Sequence, residues 1–241
     1  MANQYLKLPS TIVDAADVGS GTVNNTEFGY LDGVTSSIQT QINTATTDIL
    51  DAKKDDQFLR ILGALGSDIK ALSFGAGYPS DNFINLTDNY VFFTAVWLPV
   101  AATITGVKFH IAQTGSYTAD NENRIGLYTW SGGTLTLVAS SANDANLWAG
   151  ALGVNTKAFS STYAASAGLY FVGILYNNSA QVTVPRITTN GLILYSSGTC
   201  TMGMATTSKV CMNQNQHNTL PSSVTVSATS NQQQPLWFAL Y

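Results

Sequence analysis

The sequence predicts a mainly β protein with an N-terminal helical stem followed by a jelly-roll-like β-sandwich head. Three observations carry that fold class. Residues 34–52 hold a thin apolar stripe at helical spacing, and from Phe74 onward short β-rich runs alternate with turn residues. The surface chemistry is also polar without being charged. Apolar types make up 45% of the 241 residues, ordinary for a folded chain, while charged types make up only 10%. Thr, Ser, Asn and Gln supply the polarity, and they suit β surfaces and turns.

Residues 1–25 read as an extended arm punctuated by Pro and Gly, with Leu6, Leu8, Ile12 and Val13 as its apolar anchors. An arm of this kind is ordered only where something docks it.

Residues 26–72 read as the stem. Thr26 is placed to cap a short helix, EFGYLD, that Gly33 ends. Thr35 or Ser36 caps the main helix, and Ser36 with Gln39 matches a capping box. The stripe consists of Val34, Ile38, Ile42, Ala45, Ile49 and Ala52, set among Ser, Thr, Gln, Asn and Asp. So polar a helix is marginal alone in water. A stripe two positions per heptad wide matches a coiled-coil seam better than a helix lying on a core. Lys53-Lys54-Asp55-Asp56 interrupts it. A second stripe follows at Phe58, Leu62, Leu65, Ile69 and Leu72, weakened by Gly63 and Gly66. A helical hairpin packed on the β region is the alternative reading.

Residues 73–241 read as the head. Strands are expected at Tyr90–Trp97, Thr103–Ile111, Arg124–Trp130, Thr134–Ser140, Thr156–Ser160, Gly168–Tyr176, Gln181–Val184, Leu192–Ser196, Val224–Ala228 and Leu236–Tyr241. Hairpin turns are expected at Trp130-Ser-Gly-Gly-Thr134 and at Asn190-Gly191. PLWFALY is expected in a central strand or at a subunit interface, because a frayed end would waste Trp237 and Phe238. Trp97 is expected in the core with them.

Charge narrows the function classes. Residues 1–72 hold nine acids and five bases, whereas residues 73–241 hold five of each. No basic stripe supports nucleic-acid binding. No apolar leader or membrane-length run is present, so neither a signal peptide nor membrane insertion is expected. Cys200 and Cys211, separated by ten residues, are read as free thiols in a reducing cell, with a disulfide between paired strands as the alternative.

The segment TEFGYLDGVTSSIQTQIN resembles one that recurs in tailed-bacteriophage fibre proteins, where it precedes or forms a trimeric stem. The pattern TITGVKFHIAQTGS…NRIGLYTWSGGTLTLVASS…TKAFSSTYAASAGLYFVGILYN resembles the β-sandwich heads at the tips of such fibres. The resemblance implies a trimeric coiled coil followed by a jelly-roll-like head. It also implies a virion location after assembly in the host bacterial cytoplasm, with the arm docked on a capsid or tail protein. At 1.5 Å per residue the stem is about 70 Å long, short enough to favour a head fibre or a small tail-associated fibre.

No enzymatic constellation stands out, so no catalytic residue, metal or cofactor is expected. His110 lies inside a predicted strand and His217 in a polar loop, neither beside a nucleophile signature. Asp120 and Glu122 lie in an Asn-rich loop that reads as solvated, and Asp144 reads as a turn residue. Carbohydrate binding fits better, since sugars are held by aromatic faces and neutral hydrogen bonds. Tyr117, Trp130 and Trp148 are the candidate glycan-binding residues, together with the Asn/Gln-rich segment Asn213–Asn218. Trp130 and Trp148 each have a packing reading as well, closing a hairpin and capping the sandwich. The expected function is a structural fibre whose head is a candidate binder of host-surface glycans. A dedicated tail receptor-binding adhesin is the alternative, and a glycan-degrading tailspike is less well supported.

Overall fold

The computed structural model describes residues 26, 30, 37–53, 68–73, 82–189, 209–231 and 234–241. Several expectations lie outside the described residues: the arm with Leu6, Leu8, Ile12 and Val13, the stripe position Val34, the break at 54–56, and Phe58, Leu62 and Leu65. The strand at Leu192–Ser196, the Asn190-Gly191 turn and Cys200 lie outside them too. The chain divides into two units, residues 1–50 and 51–241.

The described helix, α1 (Ile38–Lys53), begins at Ser37. The Ser37 hydroxyl accepts the Thr40 N–H at 3.3 Å and contacts the Thr40 hydroxyl at 2.7 Å. The cap therefore sits one residue beyond the expected Ser36, with Thr40 rather than a Gln at the third position. Along α1 the polar side chains satisfy themselves on the helix. Thr44, Thr46 and Thr47 donate to the carbonyls of Thr40, Ile42 and Asn43 at 2.8–3.0 Å, and the Gln39 amide donates to Asn43 at 2.9 Å. The apolar stripe is left over. Ile38 and Ile42 are 51% and 53% exposed and Ala45 is also exposed, and the helical backbone continues to Lys53.

The helical reading does not extend to Leu72. Residues 68–70 are extended, and Ala71–Leu72 form a buried strand. Burial of those two side chains against the head outweighs a helical period already weakened by Gly63 and Gly66. Among the described residues no helix is long and apolar enough to cross a membrane.

The second unit is mainly β. Its strands are β1 (Ala71–Leu72), β2 (Phe83–Asn85), β3 (Tyr90–Leu98), β4 (Ala102–Gln113), β5 (Ser116–Ala119), β6 (Arg124–Ser131), β7 (Thr134–Ser140) and β8 (Gly153–Ala165). They continue as β9 (Gly168–Tyr176), β10 (Asn178–Thr183), β11 (Arg186–Thr188), β12 (Cys211–Gln214), β13 (Ser223–Thr225), β14 (Ser230–Asn231) and β15 (Phe238–Leu240). A 3-10 turn, Val226–Ala228, replaces the second half of the strand expected at Val224–Ala228. One sheet runs β1-β15-β4-β11-β2 with β8 also on β4. The other runs β13-β7-β6-β9-β3-β12-β14, and β5 pairs with β10 separately. β15 lies between β1 and β4, the central position expected for it.

Local sequence accounts for the main features. Gly132 and Gly133 form the two-residue turn between β6 and β7, both with positive φ (54° and 84°), as a type I′ hairpin requires. β4 alternates, burying Ile104, Val107, Phe109 and Ile111 in the core that the two large sheets share. β3 and β9 do not alternate. Phe92 and Val96 of β3, and Tyr170, Val172, Ile174 and Tyr176 of β9, face that shared core. Val91, Phe93, Phe171 and Leu175 face the opposite side, where Met212, Leu220, Val224 and Val226 cover them. Strands buried on both faces read as continuous apolar runs, which YVFFTAVWL and LYFVGILY are. Gly173 makes room on the second face: a Cβ there would lie 2.8 Å from the rings of Phe93 and Tyr128, which pack edge to face at 5.1 Å.

Candidate functional site

Trp148 is packed inside the head, which corrects its reading as a binding residue, and Tyr117 is half-buried beside it. The Trp148 side chain is fully buried, donates its indole Nε1–H to the Leu175 carbonyl at 3.1 Å and packs edge-on against Phe109 at 5.4 Å. The turn that carries it is built by Asp144, whose carboxylate accepts the Asn146 N–H and whose carbonyl accepts the Leu147 N–H. Lys157 clamps the other carboxylate oxygen at 2.6 Å. That hydrogen bond is the main reason the Asp144 carboxyl titrates below its usual range, against the opposing effect of burial. Tyr117 is half-buried, accepts the Trp148 backbone N–H at 3.1 Å and packs edge-on against Tyr176. Burial, with the Asp144 charge adding, pushes its phenol pKa up. Both residues belong to the fold.

Trp130 is exposed at 38%, and the register shows its neighbours. Across β6 and β9 the last pair is Thr129 with Tyr170, so Trp130 stands beside Leu169. Leu169 in turn pairs with Trp97 of β3. Side chains two residues apart on a strand share a face. Tyr128, Phe171 and Ala95 lie on the second, covered face, so Trp130, Leu169 and Trp97 emerge on that face one row further along. On this row Trp97 is 61% and Leu169 36% exposed. The expectation that Trp97 is core is corrected: its strand is buried on both faces through most of its length, but the Trp97 side chain near its end is exposed. Lys209 is buried and donates to the Thr229 carbonyl at 2.5 Å.

The opposite end of the head is a polar lattice. Asn123 and Asn177 exchange bonds, the Asn123 amide donating to the Asn177 carbonyl and the Asn177 N–H donating to the Asn123 amide oxygen, both at 3.0 Å. The segment expected to offer free amides is tied into it. The Asn218 carbonyl accepts from Glu122 N–H and the Asn177 amide, and His217 N–H donates to the Asn89 carbonyl. Through these backbone groups residues 217 and 218 are fixed against Asn89, Glu122 and Asn177.

The remaining polar candidates are also engaged. Glu122 pairs with Arg124 at 3.0 Å, and Asp120 accepts the Asn121 N–H. His110 Nδ1 lies 2.7 Å from the Thr188 hydroxyl, and burial lowers the pKa of both His110 and His217. Among the described residues, no group of three or more His, Cys, Asp or Glu side chains is placed to hold a metal ion. Cys211, fully buried in β12, is disulfide-bonded, which corrects the reading of its thiol as free. The chain's other cysteine is Cys200. Comparisons with protein-family models, curated proteins and solved structures give no match.

Proposed function

We propose that this chain is a non-catalytic fibre protein of a phage particle. Its arm docks on a capsid or tail protein, three copies join through a coiled-coil stem, and a jelly-roll-like head is displayed towards host-surface glycans. The observation that carries this reading is α1. Its threonines and amides are satisfied on the helix itself, while Ile38 and Ile42 stand about half exposed in one stripe. Such a helix gains its stability by burying that stripe against copies of itself. The resemblance of residues 26–43 to fibre stems supplies the number three.

Native mass measurement tests the assembly, with three chains per particle expected. Ile38→Asp with Ile42→Asp should dissociate it, since charges buried unpaired at a seam are costly. A monomeric wild type sinks the reading. A dedicated tail adhesin is the second reading, favoured by the exposed Trp97–Leu169–Trp130 row. Imaging particles with a label on the chain distinguishes capsid from tail.

A further inference from the structure

We propose that the Trp97–Leu169–Trp130 row is a platform for a neutral oligosaccharide at least three rings long. The inference rests on the reading of the head as a displayed, glycan-facing domain and assigns the surface that does the binding.

Three observations support it. The first is spacing. Trp97 and Trp130 sit on β3 and β6 with only β9 between them, so their backbones are about 10 Å apart. Two indoles at that separation, with Leu169 as an apolar floor between them, match the first and third rings of a run of three pyranoses, each outer ring presenting axial C–H groups to one indole face. The negative face of an aromatic ring attracts such C–H edges.

The second is charge. The segments that carry the row, 95–99, 128–134 and 166–170, contain no Asp, Glu, Lys or Arg. Lys209 in the adjacent cover is turned onto the Thr229 carbonyl. A neutral ligand is favoured over an acidic or basic one.

The third is area. At the exposures given above, the three side chains offer roughly 300 Å² of surface, taking 150–250 Å² for a whole aromatic side chain. A stable protein–protein contact needs about 800 Å² per partner. The row is sized for a small ligand, not for a second copy of the chain.

The test uses the full chain with neutral gluco- and galacto-oligosaccharides and N-acetylglucosamine oligomers of one to four rings, followed by tryptophan fluorescence and calorimetry. Affinity should rise from one ring to three and then level off. Trp97→Ala and Trp130→Ala should each weaken binding about tenfold, the effect of losing one aromatic contact, while Trp97→Phe retains part of it. Thermal unfolding of each variant checks that the head is intact.

Absence of binding across the series overturns the proposal, as does binding indifferent to both substitutions. A changed native mass in either variant marks the row as a contact between copies and overturns it too. A trimer that binds no sugar removes this inference alone, whereas a monomer that binds sugar through the row removes the fibre reading alone.

Discussion

The indole N–H of Trp148 is bonded to the carbonyl of Leu175 inside the head, 3.1 Å away. One hydrogen bond, with the Phe109 ring against the same indole, makes this tryptophan part of the scaffold. Trp148→Phe should lower the unfolding free energy by about 1–2 kcal/mol, through one lost hydrogen bond and the space left by the smaller ring. Trp148→Ala should cost about 3–5 kcal/mol. Trp130→Ala, on the surface, should stay within about 1 kcal/mol of wild type. Urea unfolding of the three variants checks the order.

Asn123 is buried and serves two backbone groups of Asn177's neighbourhood, the Asn177 N–H and the Asn177 carbonyl. Asn123→Ala orphans the Asn177 N–H and leaves the carbonyl only the longer bond from the Asp120 N–H at 3.4 Å, so a loss of about 1–3 kcal/mol is expected. At roughly 2–4 °C per kcal/mol for a domain of this size, calorimetry should show a clear drop in melting temperature. An unchanged value would mean the asparagine exchange contributes nothing.

Asp144 titrates below its unfolded-state value, mainly through the Lys157 hydrogen bond. Its contribution is therefore fully present above the unfolded pKa and is lost as pH falls through the folded one. The carboxylate is 35% exposed, so solvent screening limits the pair to about 0.5–1 kcal/mol. Asp144→Asn should be less stable than wild type at neutral pH, and the gap should close in acid. A gap constant down to about pH 2 would assign the effect to the turn instead.

Cys211 is the test of covalent state. Denatured without reductant, the chain should show no reactive thiol; after reduction it should show the two cysteines of the sequence. Cys211→Ser should lower stability by about 2–4 kcal/mol. A thiol count of two before reduction would refute the bond.

Much of the head was legible in the sequence. Thr134–Ser140 and Gly168–Tyr176 are strands with the bounds that alternation and turn residues suggest, and Gly132-Gly133 is a hairpin turn because only glycine accepts both angles easily. The helical period was legible through Lys53 and misleading at Leu72, where long-range pairing with Ala239 decides the local conformation. The candidate site was the least legible part. Trp97 and Trp148 each follow an apolar residue in an apolar setting, yet one is exposed and the other buried. Nothing local distinguishes them. What does is the place of each in the fold, Trp97 near the end of β3 and Trp148 on the loop that the Asp144–Lys157 pair folds inward. Both facts depend on contacts far apart in the chain.

The placement of β15 bears on how the head is made. Ser73 accepts and returns bonds to Leu236 and Phe238, the latter 165 residues away in sequence, and Ala71 pairs with Leu240. The first strand of the head therefore waits, unpaired, for one of the last. Until residues 236–240 are made, β1 has no sheet partner among the described residues and β4 lacks one of its neighbours. So late a closure makes folding slow and leaves the growing head prone to stick to its neighbours. A chain interrupted before Leu236 lacks the strand that joins β1 to β4, so that sheet is left open between them.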